Sequence, residues 1–210
     1  AVRVTGNPIR GYFAPATTAN RQLAVLGGSG GARSLNQQAP LAIYRLKGHL
    51  EGWRIVHQTG EADVEATRLL YGKLGLSAQV TAFVDDMPTL LAASSVALCR
   101  AGGTTLAELA AAEVPSVLVP YPHATSDHQR RNAEVHAQAG GAMIVDERDE
   151  GPLPARLAAA LGPLVAEPRR RERMAWNLRQ LARPGATREV ASLVVEAIDA
   201  QWERAVLRCA

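Results

Sequence analysis

Six short apolar runs, separated by stretches of helical periodicity, constrain this chain more than any other feature in it. The runs are rich in branched residues and fall at 23–26, 53–56, 79–84, 95–99, 115–119 and 142–145. Between them, at 32–47, 61–74, 87–93, 104–113 and 127–139, apolar residues recur at helical spacing. Strands that are apolar throughout, rather than alternating, are buried on both faces. That is the condition of a parallel sheet covered on each side by its crossover helices. The expected fold is α/β, a doubly wound, Rossmann-like parallel sheet of about six strands with helices on both faces. The stretch 153–205 holds no strand-like run. It reads as two or three helices, with breaks expected near Gly162-Pro163, Glu167-Pro168 and Pro184-Gly185.

Composition narrows the class further. At 210 residues and 47% apolar, the chain can bury a sizeable core, which excludes wholesale disorder. No apolar run approaches the ~18 residues of a membrane span, and the opening AVRVTGNPIR lacks the basic-then-apolar layout of a signal peptide. Two cysteines, Cys99 and Cys209, form no disulfide framework in a chain of this length, so a reducing compartment fits. A net charge of +3 gives no argument for a nucleic-acid partner. Residues 1–22, with Pro8, Gly11 and Pro15, read as a linker from a missing N-terminal domain. Residues 23–205 read as one ligand-binding domain, and 206–210 as a tail. An opening Ala and a turn-rich start fit a piece of something longer.

In doubly wound folds, ligands bind beyond the carboxyl ends of the strands, where loops lead into helix N-termini. Three such loops carry chemistry. Gly27-Gly28-Ser29-Gly30-Gly31-Ala32-Arg33-Ser34 follows the first strand, and its glycines admit a close ligand at a helix start suited to phosphate. It is neither a Walker A loop, which needs Gly-Lys before Ser/Thr, nor a G-x-G-x-x-G fingerprint, whose sixth position is Arg33 here. Arg100 through Glu108 follows the fourth strand. There Thr104 or Thr105 can cap the helix, and Glu108 suits either a ribose diol or a capping box on Thr105. Pro120 through Asn132 follows the fifth strand, with His128, Gln129 and Asn132 able to bond sugar hydroxyls. His123, Asp127 and His128 lack zinc-ligand spacing, so neither a metal nor another cofactor is expected. Arg10 follows a turn as a candidate phosphate partner, and the backbone of Val84 is placed to read a base edge. The run Arg169-Arg170-Arg171 with Arg173 reads as a solvated helix face. Cys99 reads as a small core residue.

Taken in order, Gly6-Asn7-Pro8-Ile9-Arg10, the glycine loop with Leu35-Asn36, His57-Gln58-Thr59-Gly60, Phe83-Val84-Asp85-Asp86-Met87, Cys99 to Glu108, and His128-Gln129 with Asn132-Ala133 form a series. It resembles the C-terminal, donor-binding half of the MurG family of GT-B glycosyltransferases, over residues 4 to 200. The resemblance implies transfer of N-acetylglucosamine from UDP-GlcNAc to lipid I, undecaprenyl-diphospho-MurNAc-pentapeptide, giving lipid II for peptidoglycan by an inverting reaction that needs no metal. It assigns the diphosphate to Arg10, Gly28, Ser29 and Gly30, the uracil edge to Val84 with Met87 packing nearby, and the phosphate and sugar to Gly103, Thr104 and Thr105. The ribose diol falls to Glu108, and the GlcNAc hydroxyls to His128 and Gln129. Two departures stand out: His128-Gln129 where Gln-Gln is common, and Gly103-Thr104-Thr105 where a small residue, then Leu or Ser, then Thr is common. The catalytic residues and the acceptor and membrane contacts are expected in the missing half, so this chain alone is expected to be inactive. The full-length protein is expected in the cytoplasm, peripheral on the anionic inner face of a bacterial plasma membrane. Alternatives are another GT-B UDP-sugar transferase, such as a glycolipid glucosyltransferase, the donor subunit of a two-chain GlcNAc transferase, and a non-catalytic nucleotide-sugar-binding module.

Overall fold

The computed structural model describes residues 2–17, 19–28 and 30–209, with side chains through Asp199. Six strands form one sheet: β1 (Gln22–Leu26), β2 (Arg54–Gln58), β3 (Gln79–Thr81), β4 (Val96–Cys99), β5 (Ser116–Leu118) and β6 (Ala142–Ile144). Their order is β3-β2-β1-β4-β5-β6, and every neighbouring pair is parallel. The helices are α1 (Arg33–Arg45), α2 (Val64–Lys73), α3 (Met87–Ala93), α4 (Gly103–Ala111), α5 (His128–Gln138), α6 (Leu153–Ala166), α7 (Pro168–Leu181) and α8 (Ala186–Cys209). This is the expected doubly wound fold.

The pleat divides the core in two. On β1, Leu23 and Val25 point to one side, where they meet Ala39 and Ile43 of α1, Tyr71 of α2, and Leu157 and Leu161 of α6. Ala24 and Leu26 point to the other, against Leu91 of α3, Leu106 and Leu109 of α4, and Ala133 of α5. Residues 2–17 lie along this second side. Phe13 is buried there, the Ala16 N–H donates to the Ala112 carbonyl at 2.8 Å, and Thr187 at the start of α8 donates to the Ile9 carbonyl at 3.3 Å.

Three sequence expectations are corrected. The break near Gly162-Pro163 does not occur, because α6 runs through Pro163. A proline inside a helix costs about 3 kcal/mol. Burying Leu157, Leu161 and Leu164 completely gains about 1.5–3 kcal/mol each, so the packing wins. The third strand ends at Thr81 rather than 84, and Phe83 beyond it is exposed. The arginine run is not uniformly solvated. Arg171 is buried, stacks on the Trp53 ring at 5.4 Å, and donates to the Leu164 and Val165 carbonyls at 2.7 and 3.1 Å. Those carbonyls belong to the last turn of α6, which has no helical partner for them.

Candidate functional site

The chain crosses from β3 to β4 on the far side of β1, so the loops after β1 and β4 part and leave a crevice at the carboxyl edge of the sheet. The loop after β1 is shaped by backbone contact. Gly31 has φ +75°, and a Cβ built on it would lie 2.2 Å from the Thr59 carbonyl oxygen; one on Gly60 (φ +78°) would lie 2.8 Å from the Gly31 Cα. Only glycine accommodates both the left-handed backbone and this approach of the β1 and β2 loops.

Behind this contact sits a buried polar chain. The Asn36 Nδ2 donates to the Thr59 carbonyl (2.9 Å) and to Asp63 Oδ2 (2.8 Å). Its Oδ1 lies 3.1 Å from His57 Nε2, and His57 Nδ1 lies 3.0 Å from the Tyr71 hydroxyl. With both Asn36 amide protons committed, Oδ1 must accept, which puts the histidine proton on Nε2 and makes Nδ1 the acceptor for Tyr71. Burial pushes the His57 pKa down to about 3 and raises that of Tyr71, so both stay neutral near pH 7.

Two helix N-termini open onto the crevice. Neither α1, with Ala32 at its N-cap, nor α4, with Gly102 there, has a capping side chain, and neither carries an acidic residue in its first turn. Their leading N–H groups and the positive ends of their dipoles are available to an anion. The expectation that Thr104 or Thr105 caps α4, or that Glu108 closes a capping box, is corrected here. The helix starts at Gly103, so both threonines lie inside its first turn and Glu108 lies in the second, out of reach of the N-cap.

The open cleft between these termini has a volume of about 830 Å³. Of the expected site residues, Gly28, Gly30, Thr105 and Gln129 line it, and Arg100 and Glu147 join them. The Arg100 and Glu147 side chains, 12% and 16% exposed, form an ion pair at 2.8 Å. The guanidinium also donates to the Val119 and Pro120 carbonyls at 3.1 and 3.3 Å and lies 5.6 Å from the centre of the Tyr121 ring. Sequence reasoning gave neither residue a role. Arg100 had one signal, its place directly after β4; Glu147 had none, since its partner is 47 positions away. Gln129 Oε1 accepts from the Tyr121 N–H at 3.0 Å. His128 points elsewhere: it is exposed, with Nδ1 2.8 Å from the Thr125 carbonyl. Directly before it, Ser126 and Asp127 have φ of +52° and +54°, costly values for residues with a Cβ. Arg148 contacts Asp127 at 3.5 Å and Asp146 at 2.7 Å, and Arg130 contacts Asp146 at 2.6 Å. Hydrogen bonds from Arg148 hold the Asp146 carboxyl well below the usual carboxylate range.

The other expected residues lie outside this cleft. Thr104 Oγ1 accepts from the Asn7 amide at 3.3 Å, and Gly103 borders a second groove of about 470 Å³ together with Asn7. Arg10 is exposed on the incoming segment. Its charge acts on Glu108, whose half-buried carboxyl is raised by desolvation and drawn back down by that charge. A Cβ on Gly11 would lie 3.7 Å from Pro88 at the start of α3, so Arg10, Glu108 and Met87 share one neighbourhood. Met87 packs on the second core side, and Val84 is half-buried in the loop after β3. Ser29 lies outside the described residues.

Comparison with known proteins agrees with this fold. The family model described as "Glycosyltransferase family 28 C-terminal domain" matches residues 22–190. A Pseudomonas fluorescens (Pf-5) protein named UDP-N-acetylglucosamine–N-acetylmuramyl-(pentapeptide) pyrophosphoryl-undecaprenol N-acetylglucosamine transferase is 41% identical over 200 residues, which is 92% of this chain and 55% of that protein. A Sorangium cellulosum (So ce56) protein of the same name is 42% identical over 211 residues, covering 98% of this chain and 52% of its own. The crystal structure of Acinetobacter baumannii MurG superposes with a TM-score of 0.74 at 34% identity, over 84% of this chain and 50% of that one. The chain thus spans about half the length of the relatives it matches. The matched region begins at the first residue of β1 and takes in every loop of the crevice; the chain belongs to the family of glycosyltransferase family 28 C-terminal domains.

Proposed function

We propose that this chain is the donor-binding half of a MurG-type GT-B glycosyltransferase, which transfers N-acetylglucosamine from UDP-GlcNAc to lipid I to form lipid II. The observation that carries the reading is the pair of uncapped, acid-free helix N-termini at the sheet's crossover point, in a chain about 41% identical to transferases of that name. A diphosphate is the ligand such a site suits. Residues 1–22 join the domain to a preceding half that supplies the acceptor site and the catalytic residues. The whole protein works in the cytoplasm, peripheral on the anionic inner face of the plasma membrane. Among the described residues no helix is long and apolar enough to cross a membrane.

In this mechanism an acceptor hydroxyl oxygen attacks the sugar C1 from the face opposite the diphosphate, and its proton passes to a base in the preceding half. The C1–O bond breaks with inversion, and its electron pair leaves on UDP. Negative charge then grows on the diphosphate, where the N–H groups of α1 and α4, with Arg100 in the same cleft, are already oriented, and Arg10 from the incoming segment adds its charge. Glu108 accepts from the ribose diol, and the desolvation that raises its pKa also strengthens those bonds. The Val84 backbone reads the uracil edge with Met87 beneath it. Gln129 has one amide face held by Tyr121, which leaves its N–H₂ for a sugar hydroxyl, and His128 turns toward the sugar only by releasing Thr125. That commitment of His128 favours a second reading, a GT-B transferase with a different hexose donor.

Calorimetric titration with UDP-GlcNAc, UDP-glucose, UDP and NAD tests the proposal. The expected result is saturable binding of the uridine ligands, tightest for UDP-GlcNAc, with none for NAD. Equal affinity for both sugars would move the assignment to the second reading. NAD binding, or no uridine binding at all, would overturn the donor site.

A further inference from the structure

Gln58 is 3% exposed at the end of β2, and its side-chain amide is fully engaged. Oε1 accepts from the Gly28 N–H at 3.1 Å, while Nε2 donates to the Gly28 carbonyl at 2.8 Å and to the Ala82 carbonyl at 3.0 Å. A flipped amide would face its oxygen toward two carbonyls, so the orientation is unambiguous. Gly28 belongs to the loop after β1, and Ala82 opens the loop after β3 that leads to Val84. The Ala82 carbonyl accepts a second bond, from the Gly60 N–H at 3.0 Å, and the Gln58 carbonyl accepts from the Gly27 N–H at 3.0 Å. One residue therefore ties together the three loops on the β3-β2-β1 side of the crevice.

We propose that Gln58 is a positioning residue that sets the spacing between the diphosphate loop and the base-reading loop, and so couples recognition of the two ends of a nucleoside diphosphate. The ligand assignment rests on the donor-site reading above, whereas the mechanical link stands on the hydrogen bonds alone. Gln58 has no amide proton left for a ligand, so its effect passes through Gly28 and Ala82. A side chain that served the glycine loop alone would not need its second N–H on Ala82. A side chain that merely filled space would be apolar, as Val56, two positions back on the same face of the strand, is.

Two variants of the full 210-residue chain test this: Gln58→Met, which keeps the volume and removes all three bonds, and Gln58→Glu, which keeps the acceptor for Gly28 and removes both donors. The first readout is amide hydrogen exchange without ligand. In Gln58→Met, the Gly28 amide is expected to exchange at least about tenfold faster, the factor for losing about one hydrogen bond, and the Gly60 amide measurably faster, because the Ala82 carbonyl that accepts from it loses its tie to Gln58. The Ala97 amide in β4, bonded to the Pro115 carbonyl, should keep its rate. In Gln58→Glu, Gly60 should accelerate more than Gly28. The second readout is affinity for uridine and for UDP, and both should fall together in Gln58→Met, although uridine has no phosphate. Acceleration at Gly28 alone, or a loss for UDP with uridine unchanged, would refute the coupling. If Gln58→Met does not fold, Gln58→Glu decides through the Gly60 rate. Failure of the unmodified chain to bind either ligand would count against the donor site, while the exchange rates still decide the link.

Discussion

Three glycines in the loop after β1 should differ sharply in their tolerance of a methyl group. Gly30 has open space around its Cβ direction and no positive φ, so Gly30→Ala should stay within about 0.5 kcal/mol of the parent. Gly28 is equally open but has φ +80°, so Gly28→Ala adds backbone strain alone, about 1 kcal/mol. Gly31 combines φ +75° with a Cβ position 2.2 Å from the Thr59 oxygen, where real Cβ contacts stay beyond 3.0 Å. The carbonyl must retreat by roughly 1 Å, but it is held by the buried Asn36 amide at 2.9 Å. Losing that bond adds about 1–3 kcal/mol to the strain. The sum for Gly31→Ala is about 2–4 kcal/mol, or a melting temperature lower by roughly 10 °C in a chain of this size. Urea unfolding followed by circular dichroism, with calorimetric melting as the cross-check, measures all three. Equal costs for Gly28→Ala and Gly31→Ala would refute the account, because the contact with Thr59 would then be soft and glycine there would serve conformation only.

Glu108→Ala should weaken UDP binding at least about tenfold, near 1.4 kcal/mol, and 2′-deoxy-UDP should lose much less than UDP when titrated against the same variant. His57 is pushed down to about 3 in the folded chain, against 6.5 unfolded, so its contribution is complete above pH 6.5 and is lost as pH falls toward 3. Stability should therefore drop by up to about 1.4 kcal/mol per pH unit below 6.5, with a shallower slope in His57→Gln; parallel slopes in urea titrations at pH 7, 6 and 5 would rule out His57 as the cause. Arg100→Met should destabilise by about 3 kcal/mol by leaving the Glu147 carboxylate without its cation, and Arg100→Met with Glu147→Leu should recover most of that in a double-mutant cycle.

What could be read from the sequence was local. β1, β4 and β5 announce themselves as continuous branched apolar runs, and α3 begins and ends where Met87-Pro88 and Ala93 predict. The glycine loop and Gln129 were legible as parts of the crevice because each follows from a strand end into a helix. What escaped depends on partners far apart in the chain. Arg171 turns inward because the end of α6 and Trp53 meet there, and Pro163 stays helical because α1 buries its helix. The Arg100–Glu147 pair and the Gln58 clamp link different strands, and no spacing rule along one strand foretells either.

The pairing of α1 with α6 also sets a timetable. Ala39, Ala42 and Ile43 of α1 are covered by Leu157 and Leu161, and about 120 residues separate the starts of the two helices. During synthesis at about 5–20 residues per second, α1 emerges with that face bare, and roughly 6–24 seconds pass before α6 begins to follow it. A nascent chain halted before residue 153 would carry an unshielded apolar stripe and depend on a chaperone. Completion of α6, rather than of the sheet, is the event that releases it.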